Sequence, residues 1–297
     1  MKRPTITSVT SYLNQIFEDK RPFLVSCYRG QSDQTWELKP SVLRGLKPNA
    51  ETKILSELLL EAPSEFGSDK LMFDKLVRAQ HYGLPTRLLD VSLNPLVGLF
   101  FACNEEEHWK KDGSVQIFRF HRDGRVKSAD SDTVSLLCNL AKLDDNEKTA
   151  IRDHIRAHKT GKWSNEKLTK FRELPAMRRL NQFIRDEKPY FLDIANPTDL
   201  IRYFFVHPRK NNRRVIAQSG AFIAAGLLEY RAATRSAGFK YDELPIPAKS
   251  KKTILDQLAQ LNITQRTMYP EIEYTSRYIK AKWKASDGAE TATPGRV

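Results

Sequence analysis

Two short runs hold residue types that do chemistry. The first is Tyr28-Arg29-Gly30-Gln31, which follows an apolar stretch directly. An arginine at the end of such a stretch offers a planar fork of donors to a phosphate or carboxylate. Gly30 beside it lets a ligand approach the backbone. The alternative is an arginine that satisfies strand-end carbonyls, followed by a turn glycine. The second run, Ala79 to Asp90, places Gln80, His81, Thr86, Arg87 and Asp90 within eleven residues, around a Gly83-Leu84-Pro85 turn. A turn of this kind forms the lip of a pocket, with polar groups free to orient a ligand. Read as a purely structural network, the same run would have Asp90 pairing Arg87 and His81 capping a carbonyl.

Other catalytic patterns are missing. His154 and His158 stand four apart, but Ile155 follows His154 where a zinc-protease helix carries glutamate, and no third ligand is evident, so no metal is expected. There is no phosphate-binding P-loop, no GxGxxG and no GxSxG. Lys162-Trp163 and Lys282-Trp283-Lys284 interleave basic and aromatic residues, suited to stacking on a base or to plain surface packing of the ring.

Charge supplies the next clue. The 297 residues carry a formal net charge of +13, which favours a polyanionic partner. Between Lys148 and Arg179 ten Lys/Arg stand against three Asp/Glu. Lys148, Arg152, Arg156 and Lys159 recur at helical spacing on one face, which marks them, with Arg213 and Arg214, as candidate nucleic-acid contacts. An ordinary solvated basic surface is the competing reading.

The elements that must position these groups follow from periodicity. Thr7 or Ser8 opens an amphipathic helix through Phe17, and Phe23–Tyr28 reads as a buried strand. Helical spacing runs from Ala50 to Phe66 and from Lys70 to Tyr82, with Pro85 as the stop. Arg87–Val91 then reads as a short strand. Asn94-Pro95 starts a helix that is apolar nearly all round through Cys103, and Asp112-Gly113 turns into a strand over Ser114–Phe120. Residues 121–188 are charged, sparser in apolar side chains and mainly helical. Strand patterns return at Pro189–Ile194, Ile201–Val206, Arg213–Gln218 and Ala221–Ala225. Pairing of the Arg213–Gln218 strand with Phe23–Tyr28 would bring Gln218 to Arg29. Helices over Thr253–Leu261 and Glu271–Trp283 and a small, polar tail from Ser286 complete the chain.

Composition agrees with a folded protein: 40% hydrophobic and 29% charged. No run of eighteen apolar residues occurs, and the opening MKRPTITSVTSY lacks the core of a secretory signal. Cys27, Cys103 and Cys138 are widely spaced, as reduced thiols would be. A cytoplasmic protein with no membrane partner is expected.

Tyr28-Arg-Gly-Gln31, Gln80-His-Tyr-Gly-Leu-Pro-Thr-Arg-Leu-Leu-Asp90 with Ser92 and Asn94-Pro95, and Asn212-Arg-Arg-Val-Ile-Ala-Gln-Ser-Gly-Ala-Phe222 together resemble the FRG domain family. That family is named for a Phe/Tyr-Arg-Gly motif. Ile263-Thr-Gln-Arg-Thr-Met-Tyr-Pro-Glu-Ile272 is similar to its closing segment, so the resemblance spans about Tyr28 to Ile279 outside the basic helical stretch.

The motif order in turn resembles the ADP-ribosyltransferase fold, and that resemblance implies NAD as co-substrate. The implied fold is α+β: a split mixed β-sheet cleft with surrounding helices and a basic helical insertion. Residues 1–120 form its first part, 121–188 the insertion, 189–284 the second part and 285–297 a disordered tail. Tyr28, Arg29, Gly30, Gln31, Gln80, Thr86, Arg87 and Ser92 would bind NAD, with Arg29 on the nicotinamide side and Ser92 ahead of the buried helix. Arg29, His81, Asp90 and Gln218 would be catalytic. Gln218 stands where the transferase fold usually has a glutamate. An amide hydrogen-bonds a ribose but carries no charge and takes no proton. Asp90, His81 or a glutamate such as Glu57 must then supply what it lacks. The implied activity is ADP-ribosylation of nucleic acid, RNA favoured, by a toxin or anti-phage effector held by an antitoxin protein. The alternatives are a non-catalytic nucleic-acid- or partner-binding module, a protein ADP-ribosyltransferase and an NAD glycohydrolase.

Overall fold

Ser8 accepts a hydrogen bond from the Ser11 backbone N–H and so starts helix α1 (Val9–Phe17). The computed structural model describes residues 5–18, 24–158, 163–210, 212–227 and 239–271. Strand β1 (Leu24–Gln31) runs three residues past the expected end, so Arg29, Gly30 and Gln31 belong to it. The long helical pattern after Asn49 breaks at Ala62-Pro63 into α2 (Ala50–Glu61) and α3 (Pro63–Phe66), because a proline forces the residue before it out of the helical region. Helix α4 (Met72–His81) ends ahead of Gly83, whose φ of 83° turns the chain before Pro85 is reached.

Strand β2 (Leu88–Ser92) leads into α5 (Pro95–Phe101), capped by the Asn94 side chain on the Leu96 N–H with Pro95 in the first turn. Then come β3 (Gly113–His121), the kinked α6 (Arg122–Arg125) and β4 (Val126–Ser128). Four helices follow: α7 (Asp132–Asn139), α8 (Asp145–Ala157), α9 (Asn165–Arg172) and α10 (Pro175–Arg185). The chain continues with β5 (Tyr203–His207), α11 (Arg213–Ala217), β6 (Gly220–Ala225) and β7 (Phe239–Ile246). It closes with α12 (Lys251–Gln260) and α13 (Gln265–Met268).

The strands form one curled, mixed sheet in the order β4-β5-β6-β2-β1-β3-β7, with β4 parallel to β5 and the other neighbours antiparallel. The α+β class expected from the sequence holds. β1 pairs β3 from Leu24↔His121 through Gln31↔Ser114, and β2 pairs β6 from Leu88↔Ala224 through Ser92↔Gly220. Between the two halves β1 and β2 meet at a single register pair, Tyr28↔Ser92. Beyond it the strands part, leaving Arg29–Gln31 and Leu88–Val91 on either side of a gap.

Three cores hold the halves. Cys27, Leu89, Val91, Phe118, Phe120, Phe205 and Ile223 fill the space the curled sheet encloses. Tyr28, Val115, Leu244 and Ile246 pack under α1, α5 and α12. Leu88, Phe204, Val206 and Phe222 pack under the helices of residues 121–188 through Val134, Leu137, Ile151, Phe171, Met177 and Leu180. That charged stretch is therefore amphipathic: most of its apolar residues turn inward and share one core with β5 and β6.

Several expectations need correcting. Arg213–Gln218 is not a strand. The Asn212 side chain accepts from the Arg214 and Val215 N–H groups at 2.8 and 3.2 Å, and this capping turns the segment into α11. Pro189–Ile194 is not a strand either; Tyr190, Leu192 and Ile194 stand exposed. β4 and β7 were not anticipated. The Glu271–Trp283 helix beyond its first residue, and the 285–297 tail, lie outside the described residues.

Candidate functional site

Arg29 bridges the gap in the sheet. Its Nη1 donates to the main-chain carbonyl of Asp90 at 2.8 Å and lies 4.0 Å from that residue's carboxylate. Burial lowers the affinity of the guanidinium for its proton and the Asp90 charge opposes this, so it remains a cation. Its Nε is buried with no partner among the described residues. The Asp90 carboxylate is fixed from the other side by Gln80, whose Nε2 donates at 2.6 Å, and Thr86 Oγ1 donates to Gln80 Oε1 at 2.7 Å. The helix-turn-strand run thus forms a relay of oriented dipoles that ends on one carboxylate.

Around this pair lies a cavity of about 260 Å³. Of the residues singled out in the sequence, Tyr28, Arg29, Gly30, Gln31, Gln80, His81, Asp90, Ser92, Arg214 and Gln218 line it. Trp36, Phe101 and Glu105 line it too and carried no motif by which to find them, whereas Tyr269, also in the lining, belongs to the Ile263–Ile272 segment. The Arg214 guanidinium sits 4.6 Å over the Tyr269 ring. Gln218 reaches the cavity from the end of α11, with β2 lying between it and β1, rather than through a strand paired with β1. Its Nε2 donates to the Met268 carbonyl at 3.0 Å, and its main-chain carbonyl accepts from Ser92 Oγ at 2.7 Å.

His81 Nε2 lies 3.5 Å from the Glu271 carboxylate, and its Nδ1 is buried without a partner among the described residues. Burial, followed by the Arg214 charge, pushes the imidazole pKa down, while Glu271 partly restores it. Gly30 borders the cavity but serves packing: a Cβ there would meet the Gly98 carbonyl at 2.2 Å and the Ala102 nitrogen at 2.3 Å. The missing side chain is what allows the close approach of α5 to β1.

Other expected site residues lie elsewhere. Thr86 acts through Gln80 and does not reach the cavity. Arg87 is buried at 4% exposure and holds Glu51 with two bonds, Nε at 2.8 Å and Nη2 at 2.5 Å, instead of pairing Asp90. Lys148 is not a surface phosphate contact. At 8% exposure it pairs the same Glu51 at 2.9 Å, because its helical face is the one that carries Ile151 and Ile155 into the core. Arg152 donates to Thr149 Oγ1 at 2.9 Å, Arg156 pairs Asp153 at 3.4 Å, and Arg213 is exposed. Lys159 lies outside the described residues, as does Lys162. Trp163 packs against the stacked rings of His154 and His158. Glu57 is exposed on α2 and is not among the residues lining the cavity.

Residues 25–111 match the model of the FRG domain, and the chain carries that domain. The matched stretch holds Arg29, Gln80–Asp90, Ser92 and α5, and it stops before α11 and β6, which bring Gln218 to the cavity. No curated protein and no solved structure matches the chain. Among the described residues no helix is long and apolar enough to cross a membrane. Cys27, Cys103 and Cys138 are free and buried, and burial raises all three thiol pKa values.

Proposed function

We propose that the cavity in the split sheet binds NAD and that the protein is an ADP-ribosyltransferase acting on nucleic acid, RNA in preference to DNA. The observation that carries this reading is the Arg29–Asp90 pair at the gap between β1 and β2, walled by aromatic rings and by Gln80, His81 and Gln218. A dinucleotide needs what this lining offers. Arg29 and Arg214 supply cations for a diphosphate, Trp36, Phe101 and Tyr269 supply faces for rings, and Gln80 and Gln218 supply amides for ribose hydroxyls.

In the reaction the bond between nicotinamide and ribose breaks, nicotinamide leaves neutral, and an acceptor oxygen or nitrogen bonds the ribose carbon and loses a proton. Asp90 is the carboxylate placed to stabilise positive charge on the ribose, the task Gln218 cannot perform. His81, kept neutral by burial and by Arg214, is the group able to take the acceptor's proton. The excess positive charge of +13 favours an RNA acceptor. Such an activity harms its host cell, which fits a toxin or anti-phage effector held by an antitoxin.

A non-catalytic nucleotide-binding module is the second reading. It is favoured by one observation: the Gln218 amide is already engaged by the Met268 carbonyl. Incubation with NAD labelled in its adenylate half, in the presence of RNA, DNA and lysate protein, separates the two. Label on the RNA pool supports the transferase; label on protein alone moves the acceptor; unconsumed NAD supports the binding module.

A further inference from the structure

Arg87, Glu51, Lys148 and Arg152 meet at a second, open cavity of about 490 Å³, lined by the 42–48 loop, the first turn of α2, α8 and residues 225–227. Its floor is an ion cluster. Glu51 accepts from Arg87 Nε and Nη2 and pairs Lys148, and although burial works against its ionisation, the two cations hold its carboxyl below the usual range. Asp145 lies 3.7 Å from Lys148 and also accepts the Asn49 N–H at 2.6 Å.

The charges do not cancel. Lys47, Arg87, Lys148 and Arg152 line the cavity against two carboxylates, Glu51 and Asp145. Arg152 is the residue left over. Its one bond is to Thr149 Oγ1, and its Nε is buried with no partner among the described residues. Lys47 stands exposed at the rim. Arg152 is half-buried, and its buried Nε is a donor left unmet by the cluster, which a self-contained structural network would have satisfied. Val42, Leu43 and Leu46 add apolar wall. The cavity is wider than a lone inorganic anion needs and leaves room beside the cations for the group that a phosphate carries.

We infer that this second cavity binds a nucleoside phosphate, with Arg152 and Lys47 taking the phosphate and the 42–48 loop covering the sugar and base. The phosphate belongs either to a free mononucleotide or to one unit of an RNA strand. The site does not depend on NAD: Arg87 just ahead of β2 lines it, while Asp90 three residues later lines the split.

The test is calorimetric titration, without NAD, of the full chain with AMP, with adenosine and with a 5′-hydroxyl RNA oligomer. It compares the wild type with an Arg152→Ala, Lys47→Ala double variant, which leaves the Arg87–Glu51–Lys148 cluster intact. AMP is expected to bind and adenosine not to. The double variant is expected to lose AMP affinity by at least about tenfold, the effect of removing charge-assisted hydrogen bonds. If the RNA strand is the source, the oligomer shows that loss and free AMP does not bind. Equal binding of adenosine and AMP, or unchanged affinity of the variant for both AMP and RNA, overturns the inference. Because binding is read without NAD, either result stands apart from whether NAD is cleaved in the split sheet.

Discussion

The Arg29 guanidinium donates to the Asp90 main-chain carbonyl at 2.8 Å, across the gap where β1 and β2 have stopped pairing after Tyr28↔Ser92. A carbonyl that a strand ladder would have satisfied is met instead by a cationic side chain, and a cavity opens beside it. This substitution lets one sheet carry both a continuous fold and a charged cleft.

Arg29→Ala removes the bridge and leaves the Asp90 carbonyl to water entering the cavity. The loss of one such bond costs about 1–3 kcal/mol of stability, so the variant is expected to stay folded. NAD-dependent activity should fall by about a hundredfold or more, as when a donor aimed at developing charge is deleted. A melting curve and a turnover assay on the same sample check both parts.

Gly30→Ala should fail for a different reason. The new methyl meets backbone atoms of α5 and of Ala102 just after it at 2.2 and 2.3 Å, and backbone cannot swing aside. Overpacking of this severity costs at least about 3 kcal/mol. Thermal unfolding should show a large drop with or without ligand present.

Glu51 should make stability sensitive to acid. Its folded-state pKa lies below the unfolded value of about 4.3. The ion cluster is therefore fully stabilising above the unfolded value and is lost as pH falls through the folded one. Glu51→Ala strands Arg87 and Lys148 in the interior and should cost about 3–5 kcal/mol at neutral pH. Denaturant melts between neutral pH and about pH 3 should show the wild type weakening toward the variant.

His81 should titrate below the ordinary histidine value of about 6.5, since burial and Arg214 both disfavour its cation. Arg214→Ala should raise that pKa. Proton NMR of the imidazole across pH 5–8 reads it directly; a His81 signal titrating above the ordinary value would remove the proton-acceptor role.

Much of this site was legible because the Arg29 strand end and the Gln80–Asp90 turn are local in sequence and end up on facing strands. Arg87 and Lys148 misled, because nothing local shows that Glu51, 36 residues from Arg87, neutralises both of them inside the fold. Gln218 reached the predicted cavity by an unpredicted route. Val215-Ile216 reads as strand, yet Asn212 supplies a helix cap just upstream, and the cap decided. Trp36 and Glu105 join the cavity only through tertiary packing and carry no motif, and Tyr269 lay in the Ile263–Ile272 segment without being singled out as a site residue.

Release of free nicotinamide from NAD, compared among the wild type, Arg29→Ala and Asp90→Asn, tests the central claim most directly. Asp90→Asn keeps the shape of the side chain and removes its charge. The split-sheet site predicts steady nicotinamide release by the wild type and a loss of about a hundredfold or more in each folded variant. No release by the wild type, or equal release by all three proteins, would contradict it.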